Sequence, residues 1–162
     1  MALGTLAIGA VVLTGCAGGP TTTYESLAIA NGQTPPPRTA ATMVFFPPGK
    51  EIVLFAGSAV PSGQELGDTW VFDRHGWRQL HPAVSPPTRA EATMAYDPQL
   101  GEIVLYGGCT PCGGPPGAFK LSQDIWAFDG SDWHELMSAQ TPTYEPSPLL
   151  AWDTANQTLA VC

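Results

Sequence analysis

Charged side chains are scarce in this sequence, and basic ones are scarcer still. Of 162 residues, 12% are charged, and six Lys and Arg stand against 14 Asp and Glu, which gives a formal net charge of −8. Such a charge repels phosphate backbones and anionic lipid headgroups. We therefore expect no nucleic-acid partner, and a membrane contact only through a lipid attached to the chain itself.

Catalytic and metal-binding motifs are also missing. The histidines His75, His81 and His134 show no spacing typical of metal ligands, and the sequence contains no nucleophile elbow, phosphate-binding loop or dinucleotide fingerprint. Acidic residues recur at the ends of predicted strands, where a carboxylate more often accepts turn hydrogen bonds than binds calcium. These residues are Asp68, Asp73, Asp124 and Asp129. The sequence thus predicts no catalytic, cofactor-binding or metal-binding residue.

No apolar run is long enough to span a bilayer as a helix. The longest, residues 2–13, has 12 residues, whereas a spanning helix needs roughly 20. Its length suits the hydrophobic region of an export signal. The following Leu-Thr-Gly-Cys, residues 13–16, resembles the bacterial lipobox, which implies lipidation of Cys16; the alternative is a plain secretory signal. We expect an exported protein, secreted or anchored as a lipoprotein, with a flexible tether at 17–23.

Glycine and proline, in contrast, are abundant, at 18 and 17 residues. Packed helices tolerate few prolines, so dense turns between apolar segments favour an all-β fold.

An internal repeat is the strongest signal. Residues 38–57 match 89–108 without a gap, 51 residues apart, and residues 68–80 match 124–136, 56 residues apart. A third copy occupies 142–162 and stops within its second strand. A period of roughly 50 residues is typical of β-propellers and solenoids.

Each full repeat contains four predicted strands. They cover 41–46, 51–55, 69–72 and 77–80 in the first repeat, and 92–97, 102–106, 125–128 and 133–136 in the second. Four antiparallel strands form one propeller blade. We therefore predict blade 1 at 36–85, blade 2 at 86–141 and a partial blade 3 at 142–162.

Two features carry a resemblance to a known family. One is a glycine pair after the second strand, Gly107 with Gly108, which reads Ala56-Gly57 in the first repeat. The other is an aromatic pair separated by six residues, Trp70 with Trp77 and Trp126 with Trp133. Residues 24–162 on this basis resemble the kelch repeats of galactose oxidase-type proteins. The resemblance implies a kelch-type β-propeller.

Recurrent residues are interpreted as structural. The glycines at 57, 107 and 108 leave room for close backbone approach, and the four tryptophans bury large areas between blades. Arg38 and Arg89 recur at equivalent positions, so we expect them to make structural contacts between blades rather than to bind substrate.

Residues 24–27, Tyr-Glu-Ser-Leu, mimic the fourth strand at 77–80. We interpret 24–35 as an orphan outer strand with its lead-in, of the kind that completes the last blade of a closed propeller. Two full repeats and a partial third cannot close a ring of at least about four blades, and would leave apolar faces and sheet edges open. We expect this sequence to be the N-terminal part of a longer propeller.

The cysteines Cys109 and Cys112 lie in a glycine- and proline-rich loop. A thioredoxin-type pair would open a helix, which the prolines at 115 and 116 oppose, and a zinc ribbon would need a second cysteine pair. In an exported protein we favour a disulfide over free thiols. The loop holds 15 residues between Gly108 and Asp124, against ten in the first repeat, and is the most distinctive surface for recognition.

Two function classes follow. The first is a non-catalytic extracytoplasmic scaffold that recognises a protein or a glycan through its loops. The second is an enzyme on the same scaffold that acts on sugars, such as a kelch-type sugar oxidase or a sialic acid mutarotase. The sequence favours the first.

Overall fold

The computed structural model describes residues 32–112, 118, 120–136 and 148–162, and these residues form an all-β fold. The export signal with the lipidated Cys16, the tether at 17–23, the orphan strand at 24–27 and the start of the third copy at 142–147 lie outside them. None of the described segments forms a helix of the length and apolarity that crossing a bilayer requires.

Blade 1 is a four-stranded antiparallel sheet with a small two-stranded addition. Its strands are β1 (Arg38–Thr39), β2 (Thr42–Phe46), β3 (Glu51–Phe55), β4 (Ser58–Ala59), β5 (Thr69–Asp73) and β6 (Gly76–Leu80). The sheet order is β2-β3-β5-β6, a simple meander, and β1 pairs with β4. Pro47 and the turn at 47–50 end β2, because proline cannot donate to a strand ladder.

Blade 2 repeats this architecture, and a hairpin follows it. The strands are β7 (Thr93–Asp97), β8 (Glu102–Tyr106), β9 (Ile125–Phe128), β10 (Trp133–Leu136), β11 (Leu150–Asp153) and β12 (Thr158–Val161). Strands β7 to β10 form the sheet in sequence order, and β11 and β12 form the first two strands of a third unit. This is the arrangement of successive propeller blades.

Strand alternation gives each sheet two faces. In blade 1 the cross-strand partners place one set of side chains on the side that we call the front face: Met43, Phe45, Ile52, Leu54, Trp70, Phe72, Trp77 and Gln79. The front face of blade 2 carries the equivalent residues Met94, Tyr96, Ile103, Leu105, Trp126, Phe128, Trp133 and Glu135. The opposite side of each sheet is its back face.

The core lies where the back face of blade 1 meets the front face of blade 2. The Trp133 ring is 1% exposed, and its centroid lies 4.9 Å from that of Phe55 in blade 1. Its indole Nε1 donates a hydrogen bond to Thr69 Oγ1 at 3.0 Å. Phe46 packs at 6.1 Å from both Tyr96 and Phe128 of blade 2. Tryptophan at this position therefore joins one blade to the next.

Candidate functional site

Long connections gather at one edge of the blades, which we call the loop face. Its described residues are the lead-ins before the first strands, at 35–41 and 81–92, and the connections between second and third strands, at 56–68 and at 107–112 with 120–124. In the part of the chain that the structure describes, the opposite edge carries tight turns, such as 47–50 and 98–101. Loops on a rigid scaffold are where binding residues concentrate, so the loop face is the candidate site.

In each blade, a buried arginine joins the loops of the loop face to one another. We call the arginine and its hydrogen-bond partners the arginine bracket. The guanidinium of Arg89 donates to both carboxylate oxygens of Asp124, at 2.6 and 2.7 Å, and to the Gly107 carbonyl at 2.9 Å. Asp124 Oδ2 also accepts the indole N–H of Trp126 at 2.7 Å. Arg89 is fully buried, and bidentate pairing compensates its charge.

Blade 1 repeats the same bracket at equivalent positions. Arg38 donates to Asp68 at 2.6 and 2.7 Å and to the Ala56 carbonyl at 3.0 Å, and Trp70 Nε1 donates to Asp68 Oδ2 at 2.6 Å. Burial by itself raises the pKa of Asp68. Hydrogen bonds from Arg38 and Trp70, with the arginine charge, outweigh burial and hold that pKa below its ordinary value of 3.8.

The expected contacts of Arg38 and Arg89 between blades were wrong for the side chains. Both guanidinium groups bond within their own blade, because the aspartate at the start of the third strand lies directly across the loop face. The main chain of Arg89 makes the contact between blades instead. Its N–H donates to the Leu66 carbonyl at 3.1 Å, and its carbonyl accepts from the Gly57 N–H at 2.9 Å.

The four recurrent aspartates divide into two roles. Asp73 accepts a bond from the His75 N–H at 2.7 Å, and Asp129 accepts three turn bonds, as expected for both. Turn hydrogen bonding was the wrong expectation for Asp68 and Asp124, which pair with arginine and tryptophan. The joint recurrence of Arg and Asp with opposite charge was the sequence signal that could have revealed these pairs.

Gly57 and Gly108 lie where the connection between the second and third strands passes close to the lead-in before the first strand of the same blade. A Cβ on Gly108 would meet the Ala90 carbonyl oxygen at 2.7 Å, and one on Gly57 would meet the Thr39 carbonyl oxygen at 2.8 Å. Their φ angles, +97° and +103°, also lie in the region that favours glycine. These residues therefore allow the loop backbone to pass close to its own blade.

A disulfide closes the turn that starts the longer loop. The Sγ atoms of Cys109 and Cys112 are 2.05 Å apart, and Cys109 bridges the main chains of Ala90 and Leu121. The Cys112 N–H donates to Oε1 of Glu65, which belongs to the connection of blade 1, at 3.0 Å. The closed turn thus ties the loops of two blades into one surface. The prolines at 115 and 116 lie outside the described residues.

A polar cleft opens beside this surface, between the end of β6 and the lead-in to blade 2. Its volume is about 530 Å³. The lining includes Asp68, Gln79, His81, Ser85, Pro86 and Thr88. Hydroxyl, amide and imidazole groups line it beside prolines, so the cleft offers hydrogen bonds to a polar ligand.

The histidines lie apart from one another. His81 lines the cleft, His75 accepts a hydrogen bond from Arg74 Nε at 2.8 Å, and His134 lies 3.3 Å from a Glu102 oxygen. Within residues 32–112, 118, 120–136 and 148–162, no three His, Cys, Asp or Glu side chains lie close enough to hold a metal ion. Cys162 is a free, exposed thiol.

Comparison with known proteins identifies the fold. No family model matches the chain, and no curated protein matches it in sequence. The solved structure of YjhT superposes with a TM-score of 0.58 at 20% identity, over 84% of this chain. The match covers 40% of the YjhT chain. This likeness and the four-stranded blades support a kelch-like β-propeller.

Proposed function

We propose that this chain is an extracytoplasmic kelch-like scaffold that binds a protein or a glycan through its loop face. The observation that carries the proposal is the tie between the Cys109–Cys112 turn and Glu65, which joins loops of adjacent blades. A disulfide and a cross-blade hydrogen bond preorganise the surface, and preorganisation lowers the entropy lost on binding. Export through the segment 1–16, with or without lipidation of Cys16, provides the oxidising setting that such a disulfide requires.

A glycan array and an array of extracellular proteins test this proposal. We expect binding that Glu65→Ala weakens about tenfold, because the cross-blade hydrogen bond to Cys112 is lost. Arg74→Ala is the control, since Arg74 is exposed on the opposite edge. Equal loss in both variants, or binding unaffected by Glu65→Ala, would contradict loop-face recognition.

A second candidate is an enzyme of the same scaffold that acts on sugars. The polar cleft favours it, because Gln79, His81 and Thr88 could contact hydroxyl groups there. Incubation with a panel of monosaccharides, followed by NMR for epimerised or oxidised products, tests this candidate. Turnover that Gln79→Ala and His81→Ala abolish, without loss of folding, would replace the binding proposal with an enzyme.

A further inference from the structure

The main-chain bridges that hold the disulfide turn in blade 2 also form in blade 1, where there is no disulfide. In blade 2, Cys109 bridges Ala90 of the lead-in and Leu121 of the loop. In blade 1, Ser58 occupies the equivalent position and makes the same two bridges. A serine cannot form a cross-link, so the loop face of a blade assembles without one. The disulfide of blade 2 therefore has a role other than holding this part of the fold together.

The two cysteines are held in different ways. Cys109 is 1% exposed, its N–H donates to the Ala90 carbonyl at 2.9 Å, and its carbonyl accepts from the Ala90 N–H at 3.1 Å. Cys112 is only partly buried, and its N–H donates to Oε1 of Glu65 in blade 1 at 3.0 Å. Among the described residues, the position of Cys112 thus depends on the disulfide and on one carboxylate of the neighbouring blade.

Oxygen atoms lie beside both sulfur atoms. Sγ of Cys109 lies 3.7 Å from the carbonyl oxygen of Ala90 and 3.7 Å from Oε2 of Glu91. Sγ of Cys112 lies 2.7 Å from the carbonyl oxygen of Cys109. A thiol is a weak hydrogen-bond donor, whereas a disulfide sulfur has no proton to donate. The two thiols of a reduced pair therefore find acceptors in place, and reduction leaves no buried donor without a partner.

We propose that the Cys109–Cys112 disulfide is a redox-sensitive switch of the loop face, opened by a dithiol reductant. A thiolate of the reductant attacks Sγ of the partly exposed Cys112, the S–S bond breaks, and Cys109 leaves as a thiolate that takes up a proton. The second thiol of the reductant then displaces Cys112 from the mixed disulfide, and Cys112 takes up the second proton. Two electrons pass to the protein, and the dithiol becomes a disulfide.

Reduction frees the end of the turn and leaves the blades in place. Without the cross-link, Cys112 has more conformations to lose when it bonds to Glu65, so the tie between the loops is formed less often. The blades themselves stay joined through Trp133, which packs on Phe55 and donates to Thr69. The effect of the switch on ligand binding rests on the proposed function, whereas the change in the loop does not.

Thiol alkylation and amide hydrogen exchange of the full chain test the proposal without a ligand. After dithiothreitol treatment in native buffer, mass spectrometry should show new alkylation at Cys109 and Cys112, the two cysteines of the disulfide. We expect amide exchange at 110–112 to become about tenfold faster on reduction, and exchange in strands β7 to β10 to change by less than about twofold, because only the turn loosens.

Two variants separate the disulfide from its hydrogen bond to blade 1. Cys109→Ser/Cys112→Ser places serine where blade 1 has Ser58, and should show fast exchange at 110–112 with or without dithiothreitol. Glu65→Ala is the matched control, since it removes the acceptor of the Cys112 N–H and keeps the cross-link. Its exchange at Cys112 should rise before reduction, while both cysteines of the disulfide stay protected from alkylation.

Three results would overturn the proposal. A disulfide that opens only after urea is added is closed to reductants in the folded protein. Exchange that rises equally in β7 to β10 makes the disulfide a support of the whole blade. Unchanged exchange at 110–112 after reduction means that the turn does not respond. None of these measurements needs a ligand, so failure of the proposed function leaves their outcome unaffected.

Discussion

At the scale of single residues, one buried arginine in each blade connects the loops of the loop face. Arg89 satisfies its charge with Asp124 and two of its donors with the Pro87 and Gly107 carbonyls. Its partner lies 35 residues away in sequence, in a connection that the chain must fold back to reach. The recurrence of arginine predicted a structural role, but its partner could not be derived from local pattern.

Removing that partner should be costly. We expect Asp124→Ala to lower the free energy of unfolding by about 3–5 kcal/mol, because it leaves Arg89 buried without a counter-charge. Asp73→Ala, which removes one exposed turn acceptor, should cost about 1 kcal/mol or less. Urea unfolding followed by tryptophan fluorescence measures both. Similar losses in the two variants would show that the bracket is not a principal stabilising contact.

At the scale of elements, local pattern predicted the strands closely. The predicted second strands at 51–55 and 102–106 have the bounds of β3 and β8, and the others differ by at most one residue at an end. Alternating apolar residues and turn-forming glycine and proline act over a few positions, so the sequence displays them directly. The short pair β1 and β4 was not anticipated, because it joins a lead-in to a distant connection.

The glycine after the second strand should tolerate no side chain. We expect Gly108→Ala to destabilise the fold by about 1–3 kcal/mol, because its Cβ would meet the Ala90 carbonyl oxygen in a backbone conformation that disfavours alanine. Gly101→Asn is the control. Gly101 has open space around it, and Lys50 occupies the equivalent position with a φ of 53°. Thermal melts compare the two variants, and equal melting temperatures would contradict the close approach.

At the scale of the whole molecule, several carboxylates favour the folded state only while ionised. Burial by itself raises the pKa of Asp124. Hydrogen bonds from Arg89 and Trp126, together with the arginine charge, outweigh burial and hold that pKa below its ordinary value of 3.8. Backbone N–H groups of Asp132 and Ser131 lower the pKa of Asp129. Because the folded-state pKa values lie below the ordinary ones, the stabilisation is complete above about pH 4 and is lost as pH falls through the folded values.

Acid unfolding tests this linkage. We expect the free energy of unfolding to decrease below about pH 4, and the decrease to be shallower in Asp68→Asn/Asp124→Asn, which lacks two of the depressed carboxylates. Urea titrations from about pH 7 to about pH 2 provide the measurement. If the unfolding free energy of the double variant depends on pH as steeply as that of the parent, groups other than Asp68 and Asp124 cause the loss of stability in acid.

The sequence by itself determined the repeat, the four strands of each blade, the position of Trp133 between the blades and the cysteines that close the turn. These features depend on short-range alternation, turn chemistry and recurrence at constant spacing. Tertiary structure alone decided that each arginine bonds within its own blade and that Glu65 reaches the turn of the next blade. Such contacts depend on how distant connections fold back across one edge of the sheets, and no local pattern records that geometry.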